Sequence, residues 1–196
     1  MRRTRPSLLL ALTAALTGAL ATACADTPSS GDGVADSRPV DDARLVAADA
    51  DESNWLTYGR TYTEQRHSPL TQIDQESVDR LGLAWSAEMN TIRGLEATPL
   101  VVDGRIYVTS AWSILHAFDA VTGEPLWTYD PQVNRAHARY VCCDVVNRGA
   151  AFYDGRVYAG TIDGRLVAVD AETGALAWEV QTTPLGEAYS VTGAAR

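Results

Sequence analysis

Apolar and polar residues alternate in short runs along much of this chain, and the runs recur. In "RIYVT" the alternation has a period of two, which predicts a strand with one buried face. The stretch "DGRIYVTSAWSILHAFDAVTGEPLW", residues 103–127, aligns without a gap on "DGRVYAGTIDGRLVAVDAETGALAW", residues 154–178, at an offset of 51. Asp103, Gly104, Arg105, Tyr107, Leu115, Ala117, Asp119, Ala120, Thr122, Gly123 and Trp127 all recur in the second copy. The sequence therefore contains two copies of one supersecondary unit.

Within each copy the pattern predicts strands joined by tight turns. "DG" suits a hairpin turn, because glycine accepts positive φ and aspartate tolerates it. "SILHAFDA" and "GRLVAVDA" read as second strands. D-A-x-T-G then turns the chain, with Asp119 or Asp170 placed to accept bonds from the turn amides and Gly123 or Gly174 supplying the turn conformation. A further strand carries Trp127 or Trp178, and Trp85 in "LGLAWSAEM" marks a similar strand ahead of the first full unit. Four-stranded units of this length, closed by a packing tryptophan, predict an all-β fold of the β-propeller type. Two or three blades cannot bury their own faces. The chain ends at "YSVTGAAR", where another blade is due, so residues 53–196 are expected to be the N-terminal part of a longer propeller.

The first 52 residues read differently. "MRRTR" is a basic start, "PSLLLALTAALTGAL" an apolar stretch too short for a confident membrane span, and "ATAC" a small-residue cleavage site. Residues 1–24 are expected to be an export signal, with Cys24 either lipidated after cleavage, as in a lipoprotein, or removed by simple secretion. The doubled Arg2-Arg3 lacks the residues that should follow in a twin-arginine signal. Residues 25–52 are rich in Ser, Gly, Pro and Asp and predict a flexible linker. The expected location is the periplasm or cell envelope, with membrane attachment only through the lipid.

Charge narrows the partners. With 25 acidic against 16 basic residues and a net charge of −9, the chain has no basic patch for nucleic acid. His67, His116 and His137 are scattered, with no partner at metal-ligand spacing, and predict structural or surface roles. Asp119 and Asp170 belong to turns rather than to a catalytic pair. Trp112 stands where the other copy has Asp163 and breaks the pattern without a functional reading.

"YVCCDVVNRG" concentrates the candidate chemistry. Adjacent cysteines bond to each other only by closing an eight-membered ring, and an oxidising compartment permits this; a pair of separate thiols is the alternative. Arg148 offers a planar fork of donors to a carboxylate or quinone oxygen, or else a structural ion pair. Glu96, read as heading an apolar strand in "LEATPLVV", needs a partner there or a solvated strand mouth.

The repeated D-A-x-T-G-x-x-x-W resembles the tryptophan-docking motif of the quinoprotein dehydrogenases, which carry pyrroloquinoline quinone (PQQ) on an eight-bladed propeller. "NWLTYGRTYTEQRHSPLTQID", "RGLEATPLVVDGRIYVTSAW", "CCDVVNRG" and "YSVTGAAR" resemble, in order, the N-terminal segments of the alcohol dehydrogenase branch. The resemblance runs from about Asn54 to the C-terminus. It implies a Cys142–Cys143 vicinal disulfide lying against one face of PQQ, with Arg148, Glu96 and Thr192 binding the cofactor. Ser190, Gly193 and Ala194 are weaker candidates, and Asp144 and Asn147 are expected to fix the loop around the sulfurs.

The implied activity is oxidation of an alcohol to an aldehyde or ketone, with Ca²⁺ or a lanthanide beside the PQQ and a c-type cytochrome or quinone as electron acceptor. In the family the metal ligands and the catalytic base lie on later blades, beyond residue 196, so this chain alone is expected to be inactive. No C-x-x-C-H occurs, which places any haem beyond residue 196 or on a partner. A non-enzymatic propeller lipoprotein, an envelope assembly scaffold, shares the export signal and blades but has no use for "CCDVVNR" or Glu96. A propeller module binding a sugar or peptide at its central mouth needs an exposed aromatic cluster, which the sequence does not clearly show.

Overall fold

The computed structural model describes residues 39–196. The expected signal peptide, the Cys24 lipidation site and the first part of the expected linker lie outside those residues.

Each repeat folds as an antiparallel meander of four strands. The first consists of β1 (Leu100–Val102), β2 (Arg105–Thr109), β3 (Leu115–Asp119) and β4 (Pro125–Tyr129). The second consists of β5 (Ala151–Tyr153), β6 (Arg156–Gly160), β7 (Arg165–Asp170) and β8 (Leu176–Gln181). The β1–β2 turn has φ of 50° at Asp103 and 79° at Gly104, and the β5–β6 turn has 45° at Asp154 and 71° at Gly155. Positive φ at both central residues is the geometry that matches strand twist. At the D-A-x-T-G turns, Asp119 Oδ1 accepts from the amides of Val121 (2.9 Å) and Thr122 (2.7 Å) and from the Thr122 hydroxyl (2.9 Å). Asp170 does the same with Glu172 and Thr173.

The two sheets pack face to face as neighbouring propeller blades. Leu100, Val102, Tyr107, Leu115 and Ala117 from one sheet share a core with Phe152, Val157, Ala159, Val167 and Val169 from the other. The Tyr107 and Phe152 rings sit 5.4 Å apart, and the Tyr107 hydroxyl donates to the Ala171 carbonyl (3.2 Å). Arg105 grips Glu172 with two bonds of 2.5 and 2.6 Å between the sheets. Offset packing of this kind leaves each blade dependent on its neighbour.

Tryptophan docking is the most regular part of that interface. Trp85 Nε1 donates to the Ala120 carbonyl (3.2 Å), and Trp127 Nε1 donates to the Ala171 carbonyl (2.9 Å). Each indole lies flat over the glycine of the next D-A-x-T-G turn: a Cβ at Gly123 would stand 2.5 Å from Trp85 Cδ2, and one at Gly174 2.7 Å from Trp127 Cδ2. Gly174→Ala is expected to destabilise the protein by about 3 kcal/mol, adding steric overpacking to left-handed strain at φ +73°. Gly104→Ala supplies the control, since it has φ +79° and open space at its Cβ. Urea unfolding that gave equal losses for the two variants would show that the indole contact contributes nothing.

Two expectations need correction. The segment 39–52, read as flexible linker, is folded: α1 (Asp42–Val46) is capped by Asp41, and Val40, Leu45 and Ala48 are buried in the main core. Arg44, 4 % exposed, forms a bidentate pair with Asp103 at 3.0 and 2.5 Å. Three buried apolar side chains and one partly buried ion pair secure this end of a segment that is polar over its whole length of 25–52. Trp85, expected on a strand, sits in irregular chain and docks by its side chain alone.

Candidate functional site

Three segments that are distant in sequence meet beside the entries to β1 and β5. Residues 91–98 lead into β1, residues 142–149 lead into β5, and residues 191–194 follow β8. Backbone bonds tie them in series: the Thr98 amide donates to the Arg148 carbonyl (3.2 Å), and the Arg148 amide donates to the Thr192 carbonyl (2.9 Å). Arg148 is thus fixed at the centre by its own main chain.

Its side chain joins the same neighbours. Arg148 Nη2 pairs with Glu96 Oε2 at 3.0 Å, and Nη1 donates to Thr192 Oγ1 at 2.9 Å. Both charged side chains remain open to solvent, Arg148 at 36 % and Glu96 at 43 %. Contrary to expectation, Glu96 does not head the apolar strand; β1 begins only at Leu100, and Glu96 lies exposed in the segment before it with Arg148 as its partner. A half-exposed, fixed guanidinium with a carboxylate and a hydroxyl beside it is a preorganised receptor for an anionic or carbonyl oxygen.

Cys142 and Cys143, earlier in the loop that carries Arg148, are both exposed. Both are free cysteines, with sulfurs 2.6 Å apart, so the implied disulfide is not formed in this structure. The Cys143 thiol is pushed up, first by its hydrogen bond with Cys142; Arg148 opposes the shift and Glu96 adds to it. Glu96, Arg148 and Thr192 are brought into contact, and Cys142 and Cys143 stand in the loop that leads to Arg148.

The inner end of this loop is anchored by Asn147, 1 % exposed. Its Nδ2 donates to the Gly160 carbonyl (2.7 Å) and to Ser113 Oγ (3.2 Å), while its Oδ1 accepts from Thr109 Oγ1 (2.9 Å) and from the Gly149 amide (3.0 Å). One side chain thus binds the loop to strands of both sheets. Trp112 gains a structural account here: its amide donates to the Val145 carbonyl (2.8 Å), and its ring packs on a small cluster with Val133, Val145 and Ile162 beneath the Arg135 guanidinium. Sequence reasoning missed Arg93, which pairs with Asp144 at 3.0 Å. Nothing in its local spacing marks it, since the partner is 51 residues away.

Two of the histidines have hydrogen-bond partners of their own. His116 is buried between Ser110 Oγ (2.9 Å) and Thr128 Oγ1 (3.3 Å), and His137 Nε2 donates to the Tyr189 carbonyl (2.8 Å). Burial pushes the His116 pKa below its ordinary 6.5. The unfolded chain therefore binds the extra proton first, and stability is full above about pH 6.5 and declines as pH falls through that value toward the lower folded one. His116→Gln is expected to remove this part of the pH dependence, as read from urea midpoints between pH 7.5 and pH 5. An unchanged slope would assign the decline to other groups. Among the described residues, no group of three or more His, Cys, Asp or Glu side chains is arranged to hold a metal ion.

Comparison with known proteins agrees with the architecture. Residues 55–180 match the PQQ family described as glucose/ethanol/alcohol dehydrogenase, beta-propeller domain. The quinohemoprotein alcohol dehydrogenase ADH-IIG of Pseudomonas putida is 48 % identical over 191 residues, covering 97 % of this chain and 25 % of its own length. The 1-butanol dehydrogenase (cytochrome c) of Thauera butanivorans is 50 % identical over 143 residues, covering 72 % and 21 %. The solved Pseudomonas putida ADHIIG structure superposes with a TM-score of 0.78 at 52 % identity, covering 80 % of this chain and 23 % of that one. A europium-containing methanol dehydrogenase superposes with a TM-score of 0.73 at 35 % identity, covering 78 % and 27 %. This chain spans about a quarter of the length of the relatives it matches. With two docked four-stranded blades and a family match across most of its described residues, the chain belongs to the PQQ-dependent glucose/ethanol/alcohol dehydrogenase β-propeller family.

Proposed function

We propose that this chain supplies one side of a PQQ site in an enzyme that oxidises alcohols to aldehydes or ketones. The observation that carries the reading is the convergence of Arg148, Glu96 and Thr192, with Arg148 in the loop that carries two adjacent exposed cysteines. The donor set fits the group: PQQ is a flat tricarboxylate, and Arg148 and Thr192 present a cationic fork and a hydroxyl on an exposed surface. When bound, PQQ supplies a quinone that accepts the reducing equivalents of the alcohol.

The chain's own residues bind and orient. Arg148 donates to a carboxylate or quinone oxygen, and Glu96 keeps the guanidinium from rotating away. Thr192 donates its hydroxyl from the third segment. The cysteine pair, joined as a vicinal disulfide in an oxidising envelope, offers a rigid polarisable face to the ring plane. Catalytic base and metal ligands are assigned to further blades of a longer enzyme, and Ca²⁺ or a lanthanide is the metal that the family implies. Export by residues 1–24, a lipid on Cys24 and electron transfer to a c-type cytochrome or quinone complete the reading. The scaffold alternative leaves the converged charged and sulfur groups without a task.

The test is made on the full gene product purified without cofactor. Dye reduction with a panel of primary alcohols is followed after addition of PQQ with Ca²⁺ or a lanthanide. Activity that requires PQQ, and that collapses in Arg148→Ala and Cys142→Ala/Cys143→Ala, is the expected result. Absence of PQQ binding to the intact protein would overturn the proposal.

A further inference from the structure

The loop that carries the sulfurs is anchored unevenly. On its inner side, Val145, Val146 and Asn147 are each 1 % exposed and locked into the blades. On its outer side, Cys142, Cys143 and Asp144 are exposed, and Asp144 adopts φ +68°, a left-handed conformation that a non-glycine residue enters only under constraint. Asp144 Oδ1 accepts from its neighbour's amide, Val145 N (2.8 Å), and from Arg93 Nη1 (3.0 Å).

Arg93 belongs to the segment that carries Glu96 three residues later. The Thr91 hydroxyl accepts from the Arg93 amide (3.0 Å) and shapes the turn from which the guanidinium reaches across. The two segments are therefore joined by successive ties: Arg93 to Asp144 at 3.0 Å, Glu96 to Arg148 at 3.0 Å, and the Thr98 amide to the Arg148 carbonyl at 3.2 Å. The second and third engage Arg148, which follows the buried stretch. Only the first grips the exposed residue adjoining Cys143.

We propose that Arg93 and Asp144 are positioning residues, whose ion pair holds the outer end of the loop and so sets the orientation of the Cys142–Cys143 face. The inference rests on the PQQ reading for its consequence and on the loop geometry for its existence. Breaking the pair releases the outer end of the loop while the Asn147 network keeps the inner end in place. The sulfurs then sample more orientations, and the flat face they offer is less well aligned.

The experiment reads the sulfurs directly. Alkylation of Cys142 and Cys143 by iodoacetamide, after brief exposure to dithiothreitol, is timed by mass spectrometry in the full protein and in Arg93→Ala, Asp144→Asn, Arg93→Lys and the double variant Arg93→Ala/Asp144→Asn. Each neutralising single variant is expected to react about threefold faster and to bind PQQ about threefold more weakly, the scale of a partly exposed ion pair. Arg93→Lys should recover most of the wild-type behaviour, and the double variant should be no worse than either single, because both remove one interaction. Urea midpoints within error of wild type would confirm that the blades are intact. Unchanged alkylation rates in the single variants, or strictly additive effects in the double variant, would overturn the proposal. If the wild-type protein bound no PQQ, the functional reading would fall, while the alkylation cycle would still decide whether the pair positions the loop.

Discussion

Arg148→Ala is expected to weaken PQQ binding by about two orders of magnitude, the equivalent of two charge-assisted hydrogen bonds taken at the low end for a partly exposed site. Arg148 is the hub of the cluster: its amide and carbonyl join Thr192 and Thr98, and its side chain joins Thr192 and Glu96. Alanine keeps the backbone bonds, so the loss isolates the guanidinium. Arg148→Lys should recover only part of the affinity, because an ammonium is a point charge and cannot serve Glu96, Thr192 and a ligand oxygen in one plane. Titration of PQQ fluorescence on the purified protein measures both. An alanine variant that bound PQQ within threefold of wild type would remove Arg148 from the site, and with it the main support for the functional reading.

The second large effect concerns the support rather than the surface. Asn147→Ala is expected to destabilise the protein by about 4 kcal/mol, because it strands buried partners on both sheets. Thr109 Oγ1, Ser113 Oγ, the Gly160 carbonyl and the Gly149 amide all lose their bond to it. Asn147→Asp should be nearly as harmful: it keeps the acceptor oxygen but replaces two N–H donors with charge in a site that is 1 % exposed. Urea unfolding gives the size of the loss. Hydrogen exchange at Val145 and Gly149 should accelerate in both variants before global unfolding, since these amides lie where the loop meets the blades. A loss below about 1 kcal/mol would mean that the network is replaceable by water.

Much of the architecture was legible because it is local and repeated. The Asp-Gly turns, the Asp119 and Asp170 turn carboxylates and the docking tryptophans each depend on short spacings, which a linear reading can see. Strand order followed from the turns, since a chain reversed by a tight turn pairs with itself. The folded segment around α1 was missed for the opposite reason. It was averaged into the Ser-, Gly-, Pro- and Asp-rich stretch before it, and its order comes from three buried apolar groups and the Arg44–Asp103 pair, whose partners are 59 residues apart.

The site divides in the same way. Cys142 beside Cys143, and Arg148 shortly after them, are visible as residue types whose chemistry is unusual in any loop. Their relation to Glu96 and Thr192 depended on resemblance, because the acid before an apolar run at Glu96 named no partner and Thr192 carries no local signal. Arg93 gave none at all: an arginine in a charged loop becomes informative only when Asp144 is seen 3.0 Å away.

The sequence by itself determined the repeat, the turns that reverse the chain and the residue types able to bind an anionic planar ring, since each is encoded within a few neighbouring positions. Only the tertiary structure decided that Trp127 closes on Gly174, that Asn147 ties two sheets, and that Glu96, Arg148 and Thr192 meet. The physical reason is that hydrogen bonds and ion pairs act over a few ångströms, and the packing of one blade on the next chooses which distant residues come that close.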